Sequence, residues 1–138
     1  MLSKHPGKCR FPHGHTRKIE FILESASLDS NGMVCDFKII KDAVGSYLET
    51  LDHALCMNSE DPMFATLQQA YGDSVVAFDK TEPTTEVLAE KIHSTASRLL
   101  AEDAERNSPS YPLSEGVRLV RVRVWETSSS WAEYEDRG

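Results

Sequence analysis

A thiol, two imidazoles and a glycine fall within seven residues near the amino terminus, in Cys9-Arg10-Phe11-Pro12-His13-Gly14-His15. Two histidines one residue apart project from the same face of an extended segment, because strand side chains alternate. Such a pair can grip one metal ion, with Cys9 just upstream as a base or nucleophile. Gly14, between them, lets a ligand approach the backbone closely. A second pair, Asp52-His53, sits where a helix is expected to end, and an acid beside an imidazole can share a proton there. The dipeptide alone is read more simply, as a capping Asp followed by an exposed His. Glu126 is the third feature. It falls in phase with Val120, Val122 and Val124 of an alternating run, so it either lies at a fraying strand end or is placed to bind something polar.

These residues need elements to hold them. His13 to Glu24 reads as a strand whose odd positions, Ile19, Phe21 and Leu23, form the more apolar face. His13 and His15 share that phase. The turn cluster Asp29-Ser30-Asn31-Gly32 follows, then a short extended piece, Met33-Val34-Cys35. Asp36 is a plausible N-cap for a helix whose core stripe is Phe37, Ile40, Val44, Leu48 and Leu51. Asp61-Pro62 opens a short helix that buries Phe64, Leu67 and either Ala70 or Tyr71, and stops at Gly72. Ser74 to Phe78 is a short strand or an extended connector. Pro83-Thr84-Thr85-Glu86 opens the longest helix, with a Thr as cap and the stripe Leu88, Ile92, Ala96 and Leu99. The polar stretch from Glu102 to Tyr111, followed by Pro112, reads as a loop. Gly116 to Glu126 is the clearest strand, and Trp131 to Tyr134 adds a last short one. The architecture that fits is α+β: one domain over residues 1–138, an antiparallel sheet covered on one face by two main helices. Oligomerisation would cover the edges such a sheet leaves.

Composition narrows the function classes. Net charge is -7, from 15 basic and 22 acidic residues, a poor balance for coating nucleic acid or an anionic membrane. No apolar run approaches the ~18 residues of a membrane span. The polar start does not resemble a secretory signal. Cys9, Cys35 and Cys56 are an odd number at irregular spacing, so no disulfide framework is expected and a reducing cytoplasm is the simplest setting. Cys35 and Cys56 read as small buried hydrophobes.

Taken in order, Cys9-x-x-x-His13-Gly14-His15, Gly32-x-Val34-x-Asp36-Phe37, Leu51-Asp52-His53, Pro83-Thr84-Thr85-Glu86-x-x-Ala89 and Val124-Trp125-Glu126-Thr127 resemble the 6-pyruvoyl-tetrahydropterin synthase / 6-carboxytetrahydropterin synthase family. The order and rough spacing match along nearly the whole chain. The resemblance implies the tunnelling fold, an antiparallel sheet with helices on one side, assembled into trimers and stacked hexamers with active sites between subunits. It implies 7,8-dihydroneopterin triphosphate as substrate and Zn2+ as cofactor. Carried over by position, His13 and His15 would bind zinc and Cys9 would transfer a proton. Asp52 and His53 would complete the relay, Glu126 would anchor the pterin ring, and Thr84 with Thr85 would line the ring pocket. Lys8, Arg10, Arg17 and Lys18 are candidates for the triphosphate, although at least half of them are expected on a solvated face.

One departure bears on the metal. The family's third zinc histidine lies on a strand ahead of the Cys, and here that position falls before Met1. The N-terminal strand is missing with it, and His5 has the wrong spacing to replace it. Three explanations are open: a start upstream of Met1, a shortened form with impaired metal binding, or a site reworked for something else. The 138-residue chain is expected to bind zinc more weakly than an extended version. Two reactions compete within the family. One loses triphosphate and acetaldehyde to give 6-carboxy-5,6,7,8-tetrahydropterin for queuosine and 7-deazaguanine compounds; the other gives the pyruvoyl product. The Pro83-Thr84 form and the compact chain favour the first. A non-catalytic pterin-binding member is the reading from a different class.

Overall fold

The structure, a computed structural model, describes residues 1–105 and 113–137. Strand β1 (Lys18–Glu24) runs antiparallel to β4 (Arg118–Trp125), which pairs antiparallel with β5 (Trp131–Glu135), giving a sheet of order β1-β4-β5. The odd positions of β1 meet the valine face of β4, with Ile19 opposite Val124 and Phe21 opposite Val122. The register then slips between Ile22 and Leu23, so that Leu23 faces Leu119. A bulge of this kind tightens the local twist while keeping the apolar residues on one face.

Helix α1 (Phe37–Glu49) begins where Asp36 accepts a hydrogen bond from the Lys38 amide at 2.7 Å, satisfying one of the free N–H groups of the first turn. Helix α3 (Thr85–Glu105) lies across β4 and β5, and α1 packs on α3. Ala89, Ile92 and Ala96 of α3 meet Val122 and Val124 of β4 in a core from which solvent is excluded. The small Ala side chains let helix and sheet approach closely, and the branched residues fill the space between. Short α2 (Phe64–Tyr71) is peripheral and buries no residue completely. The fold is α+β with an antiparallel sheet and two principal helices on one face, as the pattern predicts.

Several details differ. β1 begins at Lys18, not His13. Lys18 is opposite Trp125, the last residue of β4, so anything upstream would need partners in the β4–β5 turn, where the chain has already reversed. Phe37 is 84% exposed, and its neighbour Ile39 is buried in its place. Ala70 and Tyr71 are exposed, because α2 has no layer above it. Residues 102–105 belong to α3 instead of a loop; residues 106–112 lie outside the described residues. Leu55–Asn58 forms a strand, β2, that pairs in parallel with β3 (Val75–Phe78) in a separate two-stranded sheet. Met33-Val34-Cys35 has no strand partner among the described residues.

Candidate active site

The N-terminal segment, the end of α1, the start of α3 and the β4–β5 turn enclose a cleft of about 1090 Å³. Cys9, His13, His15, Asp52, His53, Thr84, Thr85 and Glu126 all line it. These eight residues come from four separated stretches of sequence, and it is the chain's folding that brings them to one place.

Glu126 is the best-defined of them. It stands one residue beyond β4, where its amide donates to the Ser130 carbonyl at 2.8 Å and closes the turn into β5. Its carboxylate points back into the cleft. The hydroxyl of Thr85 donates to Oε2, His15 Nε2 lies 3.3 Å from Oε1, and Arg17 Nη1 lies 3.8 Å from Oε2. The Thr85 hydrogen bond, with the nearby His15, Arg17 and His13, holds this carboxyl below the usual carboxylate range against the opposing effect of burial. It is therefore an ionised acceptor near neutral pH. Thr85, only 7% exposed, is fixed by being the first residue of α3. Thr84 caps that helix, its hydroxyl accepting from the Val87 amide at 3.3 Å.

His13 and His15 sit in an irregular segment and not in the strand foreseen for them, with ring centroids 5.0 Å apart and edge-on to each other. His13 Nδ1 lies 2.7 Å from the Phe11 carbonyl. A carbonyl can only accept, so Nδ1 is the donor, and Nε2 is the nitrogen left to face a ligand. Among the described residues no group of three or more His, Cys, Asp or Glu is arranged to hold a metal ion. The two imidazoles are of a type that suits zinc, and they would be two of the three protein ligands usual in a catalytic site.

Asp52 and His53 form a pair, with Nδ1 to Oδ2 at 2.9 Å. They follow the end of α1 in a turn where His53 adopts a positive φ of 53°. That conformation turns the chain out of the helix and projects the imidazole outward, leaving its side chain 93% exposed. Cys56 also lines the cleft, but burial pushes its thiol up from its ordinary value, so it is poorly suited to act as a base. Cys35 is likewise half-buried and shifted upward, chiefly by burial.

Cys9 lies in a single 3-10 turn, Lys8–Arg10, and its carbonyl accepts from the Leu2 amide at 2.9 Å. The loop that carries it is tied down by Glu82, whose Oε1 accepts from the Ser3 hydroxyl and, at 2.8 Å, from the buried Asn58 amide. Burial works against ionisation of Glu82, yet the hydrogen bonds from Asn58, Ser3 and Lys4 together hold its carboxyl below the usual carboxylate range. A carboxyl depressed by folding contributes stability above its unfolded pKa, and this is lost as pH falls through the lower folded value. At a pH low enough to protonate Glu82, the Ser3 and Lys4 amides are expected to exchange hydrogen faster while the α3 core stays protected. A Glu82→Gln variant should show that looseness already at neutral pH. Equal protection in both proteins would remove Glu82 from this role.

The sequence places Arg17 among the candidate cations for the triphosphate. The structure instead turns it inward, with Nη1 donating to Thr85 Oγ1 at 2.9 Å. Lys18, the first residue of β1, instead has a side chain that is 68% exposed.

Comparison with known proteins agrees with the arrangement. The sequence model described as 6-pyruvoyl tetrahydropterin synthase matches residues 1–137. The 6-carboxy-5,6,7,8-tetrahydropterin synthase of Aquifex aeolicus is 31% identical over 136 residues, covering 96% of this chain and 79% of that protein. The protein of the same name from Haemophilus influenzae is 31% identical over 144 residues, covering 99% of this chain and 90% of its own length. A crystal structure of an uncharacterized protein from Wolinella succinogenes superposes with a TM-score of 0.67 at 27% identity, covering 94% of this chain and 81% of the other. Among the described residues no helix is long and apolar enough to cross a membrane. With the family model spanning nearly its whole length, the chain belongs to the 6-pyruvoyl tetrahydropterin synthase family of lyase-type enzymes.

Proposed function

We propose that the chain converts 7,8-dihydroneopterin triphosphate to 6-carboxy-5,6,7,8-tetrahydropterin, with loss of triphosphate and acetaldehyde, as a zinc-dependent step toward queuosine and related 7-deazaguanine compounds. The observation that carries this reading is the cleft itself. It unites an ionised carboxylate, a thiol, a paired acid and imidazole, and two further imidazoles. The names of the relatives from Aquifex aeolicus and Haemophilus influenzae support the carboxy product over the pyruvoyl one.

Each group has a chemical part. Glu126 accepts the two adjacent N–H donors on the amino-pyrimidine edge of the pterin, a pairing that needs a carboxylate with both oxygens directed at one plane. Thr85 and Thr84 form the wall of the ring pocket beside it. With the ring held there, the side chain of the substrate reaches toward Cys9, whose thiolate takes a proton from a side-chain carbon. Asp52 fixes the orientation of the His53 ring, which returns a proton from the more open side. His13 and His15 would hold zinc, which would polarise the hydroxyl and carbonyl oxygens of the substrate side chain. The chain acts as a homo-oligomer in which a second copy closes the open side of the cleft at Asp52 and His53.

Incubating the protein, supplied with zinc, with 7,8-dihydroneopterin triphosphate tests this. Mass spectrometry should find 6-carboxy-5,6,7,8-tetrahydropterin and released acetaldehyde. A pyruvoyl product would replace the proposed reaction by its family alternative. The alternative from a different class is a pterin-binding member that does not turn over. Tight pterin binding with no product under saturating zinc would establish that instead.

A further inference from the structure

Arg17 is the one guanidinium aimed at the Glu126 carboxylate among the contacts of the described residues, and it is not free for other work. Its side chain is 23% exposed, with Nη1 donating to Thr85 Oγ1 at 2.9 Å and standing 3.8 Å from Glu126 Oε2. Thr85 is buried and also donates to Oε2. A hydroxyl has one proton. Once Arg17 donates to Oγ1, that proton is left to point at Glu126, so the order of the chain Arg17, Thr85, Glu126 runs in a single direction. We propose that Arg17 is the positioning residue of the pterin clamp, fixing the Thr85 hydroxyl as a donor and holding Glu126 in the orientation that meets the pterin edge. This rests on the pterin reading above. It also separates Arg17 from the cations that would serve a triphosphate.

Physical detail favours this over a simple structural ion pair. A lysine would supply the charge, but the planar guanidinium holds Nη1 in a fixed direction toward Thr85 Oγ1, with Glu126 Oε2 also within its reach. The Thr85 contact is neutral, so it gains the carboxylate little by charge and much by direction. Arg17 follows His15 by two residues, and both reach Glu126, one to each oxygen. Losing Arg17 would leave the Thr85 hydroxyl free to turn away from Oε2 while leaving His15 on Oε1.

The test compares equilibrium binding of 7,8-dihydroneopterin, its 2-oxo analogue and its triphosphate to the wild type, Arg17→Lys and Arg17→Gln. The 2-oxo analogue lacks the exocyclic amine that Glu126 would accept from. The wild type should prefer the pterin over the 2-oxo compound. R17Q should weaken pterin binding on the order of tenfold and narrow that preference, and R17K should restore part of it. The affinity added by the triphosphate should be the same in all three proteins. In turnover, R17Q should raise KM and leave kcat within about threefold. An unchanged pterin preference in R17Q overturns the assignment, as does a loss confined to the triphosphate increment. If the wild type binds neither pterin, the functional reading falls and the Arg17 assignment falls with it. Thermal unfolding of each variant separates these outcomes from a damaged fold.

Discussion

Replacing Cys9 with Ser is expected to lower kcat for 7,8-dihydroneopterin triphosphate at least about a hundredfold, with substrate affinity changed less than about threefold. The reasoning starts from position. Cys9 lines the cleft from a short turn, and the surrounding loop is held by Leu2, Ser3 and Glu82 and not by the thiol. Serine therefore keeps the backbone and nearly the volume. What it removes is an ionisable group suited to proton transfer near neutral pH, since an alcohol holds its proton far more tightly than a thiol. A general base of this kind contributes typically 10²–10⁴ in rate, which sets the expected loss. Single-turnover assays after rapid mixing, with ligand binding measured separately by calorimetry, check both halves. A serine variant that turns over at the wild-type rate would remove Cys9 from the chemistry. One that loses binding and rate together would make it a binding residue.

The two ends of the cleft were unequally legible in the sequence. Period-two alternation foretold β4 and the inward phase of Glu126, and the structure places that carboxylate one residue past the strand, in the cleft. Alternation failed for His13 and His15. Nothing in a local pattern reveals that β1 runs out of partners at Lys18, because that depends on where β4 ends a hundred residues later in the chain. The histidines still reach the cleft, from an irregular segment, and so the chemistry foreseen for them does not depend on the strand. The α1 stripe went astray at Phe37 for a related reason. The first turn of a helix often projects past the layer it packs on, and Ile39 faces α3 instead. The parallel pairing of β2 with β3 was invisible, since four-residue strands carry too little periodicity to show a partner. The direction of Arg17 was not legible, because the residue precedes β1 and its charge makes the surface the more natural expectation.

Replacing Glu126 with Gln is expected to raise KM on the order of a hundredfold, and to do so with little loss of stability. Glutamine has the same shape, so packing against Thr85 is preserved and the β4–β5 turn, closed by main-chain hydrogen bonds, is untouched. Its amide, however, presents one acceptor and one donor where the pterin edge offers two donors. One of the paired bonds becomes an N–H facing an N–H. A hydrogen bond to a charged group contributes about 1.5–3 kcal/mol, and leaving a partner unsatisfied adds a cost of similar size. The Glu126 side chain is 33% exposed, so solvent screens part of this, and about 3 kcal/mol is the expected total, close to a hundredfold in affinity. Binding of the 2-oxo analogue should suffer less, because its edge carries fewer donors to lose. In the free protein the same change removes the negative charge that His15 and Arg17 both face. Without a ligand, two cationic or donor groups would then share a neutral amide, and the Thr85 hydroxyl would have only one oxygen to choose. Thermal unfolding within a few degrees of the wild type, together with the lost affinity, is the combination that marks Glu126 as a ligand anchor. A large drop in unfolding temperature with affinity retained would make it a structural carboxylate instead.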